Sequence, residues 1–187
     1  SEQEIQQVIE QFEGIVVLDE AYHDFSGKTF IKQMEKHNNL VILRSLSKIG
    51  LAGLRVGYGI FPVMLAEQVN KVRLPYNSNS ISQWVANELL NDFTPVQNQI
   101  HSIVEERDRL MDELSKLPGI TAYPSNSNFI LFRASKDGEK VFNNLKANGT
   151  LLRNLGSHPR LKNCLRVTIG TKQENDQFLS QLRKAAS

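Results

Sequence analysis

Two short runs fix most of what this chain can become. Ile15-Val16-Val17-Leu18 and Leu40-Val41-Ile42-Leu43 are uninterrupted, aliphatic and rich in β-branched residues. A run of this length without polar alternation reads as a strand buried on both faces, and such strands belong to parallel sheets with cover on each side. The residues between them, 19–39, are polar and include a helical segment near 30–36. That stretch is long enough for the crossover that a parallel pair requires and too long for a tight hairpin. Ahead of the first run, Ile5, Val8, Ile9 and Phe12 recur at helical spacing, with Gly14 as the stop. Helix, buried strand, helix, buried strand is the order of an α/β fold with a mainly parallel sheet. Residues 55–61 supply a third strand candidate.

Downstream the pattern changes. Pro62 can open a helix carrying Val63, Leu65, Val69 and Val72, and a second helix over 81–90 places Trp84 and Val85 on its apolar side. Thr94-Pro95-Val96-Gln97 has the form of a capping box with proline in the first turn, followed by a long apolar stripe through Ile100, Ile103, Leu110 and Leu114. Short strand candidates follow at 120–123, 128–133, 150–153 and 165–169. A helix over 141–148 closes at Gly149, and Thr171-Lys172-Gln173-Glu174 caps a last helix. The reading is a remnant of a large α/β domain over 1–97 and a small α+β domain over 98–187, with the boundary near Asn98.

Composition narrows the function classes. The formal net charge of +2 argues against an electrostatic nucleic-acid binder. No apolar run approaches the roughly 20 residues that span a bilayer, and the first residues lack the pattern of an export signal. A single cysteine, Cys164, excludes an intrachain disulfide and suits a reducing cytoplasm. The four histidines show no metal-ligand spacing.

The chemical signal stands at the ends of the two buried strands, where ligands of open parallel sheets bind. Asp19-Glu20-Ala21-Tyr22 ends the first, and Arg44-Ser45-Leu46-Ser47-Lys48 ends the second, followed by Gly50-Leu51-Ala52-Gly53-Leu54-Arg55. Hydroxyls and an arginine fork suit a phosphate. A lysine amine suits a carbonyl, and a carboxylate suits a protonated ring nitrogen. Phosphate, aldehyde and pyridine nitrogen together describe pyridoxal 5′-phosphate.

These segments resemble the fold-type I, class I/II aminotransferases. Ser127-Asn128-Phe129, Leu152-Arg153-Asn154 and Leu165-Arg166-Val167-Thr168-Ile169-Gly170-Thr171 look most similar to the histidinol-phosphate aminotransferases of that family. The resemblance implies pyridoxal 5′-phosphate as cofactor, and amino transfer between L-histidinol phosphate and 2-oxoglutarate in a cytoplasmic homodimer. It implies that Lys48 forms the internal aldimine and moves the proton, that Asp19 pairs with the pyridinium nitrogen, and that Tyr22 bonds the phenolic oxygen. Ser45, Ser47 and Arg55 would hold the phosphate. Arg166, with Arg153, would bind the substrate's carboxylate or phosphate. A threonine-phosphate decarboxylase, an aromatic aminotransferase and a non-catalytic effector domain of a transcription regulator share the same features.

Enzymes of this family are about twice as long, and the glycine turn, asparagine and stacking aromatic of their cofactor site have no match in this chain. The expectation is therefore a carboxy-terminal piece, inactive by itself, with an apolar face or edge left bare. Two other motifs fail. Gly27-Lys28-Thr29 lacks the first glycine of a phosphate loop, since Tyr22 stands there, and Ser45-Leu46-Ser47-Lys48 has no partner motif of a penicillin-recognising enzyme.

Overall fold

A computed structural model describes residues 1–186. The chain divides into two compact units, Ser1–Val96 and Gln97–Ser187.

In the first unit, helix α1 (Glu2–Gln11) is capped by Ser1, whose hydroxyl accepts from the Glu4 amide while the Glu4 carboxylate bonds the chain terminus. Strands β1 (Val16–Asp19) and β2 (Leu40–Ser45) pair in parallel, with Val16 beside Leu40 and Asp19 beside Leu43. Between them lie one helical turn, α2 (His23–Ser26), and a 3-10 helix at Ile31–Glu35. Ile9, Val16, Leu40 and Ile42 form the core, flanked by Ile5, Leu18, Phe30 and Met34. Burying these aliphatic side chains is the main stabilising term of the unit.

The third strand breaks the parallel order of the first two. β3 (Gly57–Ile60) runs antiparallel to β2, with Ile42 opposite Ile60 and Ser45 opposite Gly57. The reason is length: residues 46–56 fold into two 3-10 turns, Leu46–Lys48 and Ala52–Leu54, and return too soon for a crossover. The two-sided burial expected of the first strands is also incomplete. Val41 is buried, but Val17 and Leu43, which share its face by register and alternation, are 52% and 39% exposed.

Helices α3 (Val63–Val72) and α4 (Ser80–Asn91) follow. In α4 the buried positions are Ser82 and Ala86, not Trp84, which is 66% exposed. The helix packs against the 3-10 turn at Ala52–Leu54.

Helix α5 (Thr94–Ser115) carries the division between the units in its first turn. The second unit is a four-stranded antiparallel sheet of order β4-β5-β7-β6. Its strands are β4 (Ile120–Ala122), β5 (Phe129–Ala134), β6 (Arg153–Asn154) and β7 (Cys164–Thr168). The strand expected at 150–153 is reduced to the two residues of β6. Alternation decides the faces. Ile130, Phe132 and Ala134 of β5 are buried, together with Leu165 and Val167 of β7. They meet Leu110 and Leu114 of α5, Leu145 of α6 (Gly138–Ala147) and Phe178 and Leu182 of α7 (Lys172–Ala186). The rings of Phe132 and Phe178 stand 5.9 Å apart, a tilted pair. The capping box of α7 forms as its sequence predicts: the Glu174 carboxylate accepts from the Thr171 amide and hydroxyl, both at 2.8 Å.

Candidate active site

The carboxyl ends of β1 and β2 lie side by side, and the backbone beyond them is tightly organised. The Glu20 amide donates to the Leu43 carbonyl at 2.8 Å, which extends the ladder one residue past β1. The chain then turns: the Ala21 amide donates to Asp19 Oδ1 at 2.9 Å, a local carboxylate turn, and the His23 amide donates to the Glu20 carbonyl at 2.9 Å. Tyr22 stands at the start of α2, half-buried, and Phe25 anchors the turn at 3% exposure.

On β2, Ser45 caps the following 3-10 turn, its hydroxyl accepting from the Ser47 amide at 3.1 Å. Leu46 and Ile49 are buried and hold that turn down, so that Lys48 is presented from a fixed base. Lys48 Nζ lies 5.6 Å from the centroid of the Tyr22 ring, within cation–π range. Two residues predicted for the site from different strands are thus brought together. Asp19 is exposed, beside Leu43 in the register, and with Glu20 and Tyr22 it borders a cleft of about 340 Å³ toward α1 that Ser45, Ser47, Lys48 and Arg55 do not line. Ser45, Ser47 and Lys48 are half-buried.

Arg55 ends the second 3-10 turn with φ of 55°, a left-handed conformation uncommon for a residue with a side chain. The Leu46 amide donates to the Val56 carbonyl at 3.2 Å, so this segment returns beside the Lys48 turn. The return is close: a Cβ at Gly57 would stand 3.0 Å from the Arg44 carbonyl oxygen, which explains the glycine. Arg55 itself is exposed.

A buried ion pair lies behind this edge, and sequence reasoning gave it no role. Arg44 donates from Nε and Nη2 to Glu20 Oε2 at 3.2 and 3.0 Å, and the two side chains are 15% and 8% exposed. Thr29 Oγ1 donates to the same oxygen at 2.9 Å, and the Phe30 amide donates to Oε1 at 2.7 Å. Burial pushes the Arg44 guanidinium down, but hydrogen bonds to Glu20 and Tyr58 outweigh it and hold it above the ordinary arginine value. The sequence signal was present in outline. Opposite charges directly follow or end two apolar strands that pair, and the parallel register places them together.

In the second unit, Arg166 of β7 is directly opposite Arg153 of β6 and Leu131 of β5. Its guanidinium carbon lies 4.7 Å from the Phe129 ring centroid, and its Nε is buried without a hydrogen-bond partner. Like charges directly opposite across a sheet are unfavourable by themselves. Asn128 holds the end of the sheet through its carbonyl, which accepts from Ile169 at 2.9 Å. Among the described residues no cluster of histidine, cysteine and carboxylate side chains could hold a metal, and no helix is long and apolar enough to cross a membrane.

The sequence model for aminotransferase class I and II matches residues 1–182. The chain belongs to that family. Among related aminotransferases, histidinol-phosphate aminotransferase 2 of Nitrosococcus oceani is 43% identical over 185 residues, covering 98% of this chain and 51% of that protein. Among aminotransferases of known structure, the histidinol-phosphate aminotransferase of Clostridium acetobutylicum superposes with a TM-score of 0.86 at 25% identity, over 98% of this chain and 57% of the other. That of Sinorhizobium meliloti, solved in complex with pyridoxal-5′-phosphate, gives 0.77 at 26% identity, over 92% of this chain and 48% of its own. This aminotransferase chain spans about half the length of the curated relatives it matches.

Proposed function

We propose that this chain is the half of a histidinol-phosphate aminotransferase that carries its reactive lysine, with residues 1–97 belonging to the cofactor domain and 98–187 forming the small domain. The observation that carries the reading is the meeting of Lys48 and Tyr22 at the ends of two parallel strands, beside the carboxylate of Asp19. The donor set fits pyridoxal 5′-phosphate. An amine, a phenol, a carboxylate and two hydroxyls are all half-buried or exposed at one sheet edge, so none is sealed from a ligand.

Pyridoxal 5′-phosphate, when bound, supplies an electron sink for the bonds broken at the amine-bearing carbon. The protein's part is to hold and to move protons. Asp19 pairs its negative charge with a protonated ring nitrogen and keeps it protonated. Tyr22 Oη donates to the phenolic oxygen. The hydroxyls of Ser45 and Ser47 and the fork of Arg55 hold the phosphate. Lys48 Nζ would hold the cofactor at its carbonyl carbon and, once the substrate's amine displaces it there, would be the free amine that takes the proton from the amine-bearing carbon of the substrate and holds it for return. Arg166 and Arg153 take the anionic end of the substrate, where the orphaned Nε of Arg166 supports an anion site. For histidinol phosphate that end is the phosphate; for 2-oxoglutarate it is a carboxylate. By the same reading the whole enzyme is a cytoplasmic homodimer, and the 187-residue chain alone has no turnover.

Borohydride reduction in the presence of pyridoxal 5′-phosphate, followed by peptide mass spectrometry, tests the assignment. In the full-length enzyme the label is expected on Lys48 and absent from Lys48→Ala. A label on another lysine overturns it. Glutamate formation from 2-oxoglutarate and histidinol phosphate and its reverse are expected from the same enzyme. Release of carbon dioxide without glutamate points instead to a decarboxylase on the same scaffold.

A further inference from the structure

The residues assigned to the site lie on two separate loops, and something must set their distance. Successive residues at a strand end face opposite sides of the sheet. Asp19 and Ser45 therefore share one side, while Glu20 and Arg44, each one position away, share the other. On that other side the Glu20 carboxylate uses both oxygens. Oε2 accepts from Arg44 and from Thr29 Oγ1, and Oε1 accepts from the Phe30 amide. Arg44 Nη2 also donates to Thr29 Oγ1 at 2.8 Å, which closes the network. The network joins the turn after β1, the loop that returns at Thr29 and Phe30, and the last residues of β2. Its two charged members are 8% and 15% exposed, so solvent screens the pair weakly.

We propose that Glu20 is a positioning residue, whose buried contact with Arg44, Thr29 and the Phe30 amide fixes the Asp19–Tyr22 turn against the strand that delivers Lys48. The Glu20 carboxylate bonds Arg44, Thr29 and the Phe30 amide, none of which is assigned to the cofactor, and it acts through the turn that carries Tyr22. The inference rests on the reading of Lys48 and Tyr22 given above, but its test does not need the cofactor to bind.

The test uses this chain without cofactor. Reductive ¹³C-dimethylation preserves the lysine charge, and with Lys48 Nζ 5.6 Å from the Tyr22 ring centroid the Lys48 methyl signal is expected to be displaced by that ring's current. Lys48→Arg assigns the signal, and Tyr22→Leu gives its value without the ring. In Glu20→Ala roughly half or more of the Tyr22-dependent displacement is expected to disappear, and amides over 20–30 are expected to exchange with deuterium about tenfold faster, while those of Leu40–Ile42 do not. Glu20→Gln keeps the shape and an acceptor for the Phe30 amide, and is expected to fall between. If Glu20→Ala folds with the displacement and the exchange of the native chain, the proposal is overturned and Glu20 is merely structural. If Glu20→Ala does not fold, Glu20→Gln decides: a native displacement overturns the proposal and a reduced one sustains it. A failure here leaves the borohydride label on Lys48 untouched, and a misplaced label leaves the ring-current result untouched, so the two readings fail separately.

Discussion

The two halves of this chain bury their apolar residues to very different extents. Among the described residues seventeen large hydrophobics are exposed; sixteen lie within Ser1–Val96, and Leu151 alone lies in the second unit. The second unit closes its core with an antiparallel sheet under three helices, and the other face of that sheet carries Arg153 and Arg166. The first unit covers one face of its short sheet with α1 and the 31–35 segment and leaves Ile15, Val17 and Leu43 open on the other. Trp84, Val63, Met64 and Val72 add further bare surface on α3 and α4. Apolar surface of that extent on a soluble domain marks contact with another protein surface or a tendency to associate. The difference teaches that the two units differ in autonomy: one meets its own burial requirement, the other does not.

The sharpest way to break that comparison is to cut into the closed core. Phe132→Ala removes a fully buried ring packed on Phe178 and is expected to cost about 4 kcal/mol in the second unit. Urea unfolding followed by a probe in that unit measures it, and a cost below ~1 kcal/mol would refute a well-packed core. Next is Glu20→Ala, which strands the Arg44 charge in a largely buried position. The expected loss is local, about 1.4 kcal/mol, read as the tenfold faster exchange of the amides over 20–30 with those of Leu40–Ile42 unchanged.

Acid comes third, and it should act mainly on the second unit. A hydrogen bond from Arg109 holds Glu106 below the usual carboxylate range, opposed by burial and helped by Asn175. Backbone and hydroxyl bonds from Thr171 do the same for Glu174, and Lys172 and then Arg109 for Asp176. Groups whose folded values are depressed stabilise above the unfolded value and lose that contribution as pH falls through the folded one. The urea midpoint of the second unit is therefore expected to be level near neutrality and to drop below about pH 4. A midpoint that rises on acidification would contradict the assignment. The smallest effect on stability, and the most telling about the bare face, is expected from Val17→Thr with Trp84→Ser. Folding should change by less than about 0.5 kcal/mol, while sizing chromatography should shift toward the monomer. A native chain that already elutes as a monomer at all concentrations would show that the open surface does not drive association.

Much of this was legible in order and spacing. The β-branched runs located β1 and β2, the polar stretch between them required a crossover, and the parallel pair followed. Local rules were enough because each is satisfied within a few residues: the capping box at Thr171 and the turn at Gly149, with its φ of 83°, need no distant partner. The candidate residues Lys48, Asp19 and Tyr22 were legible as strand-end chemistry. The roles of Glu20, Arg44 and Thr29 were not, because a carboxylate and a guanidinium beside apolar runs read equally well as solvated ends. Trp84 misled for a related reason: periodicity marks an apolar stripe, but only the packed neighbours decide whether the large or the small side of a helix is covered.

What the sequence determined by itself is therefore the set of elements and the residues that stand at their ends, since hydrophobic period, capping and turn residues act over one or two turns of chain. The tertiary structure decided the direction of β3, the pairing of Arg153 with Arg166, and the clamp that joins Glu20 to Arg44. Each depends on register between segments distant in sequence, where hydrogen-bond geometry and burial are properties of the assembled sheet and not of either strand.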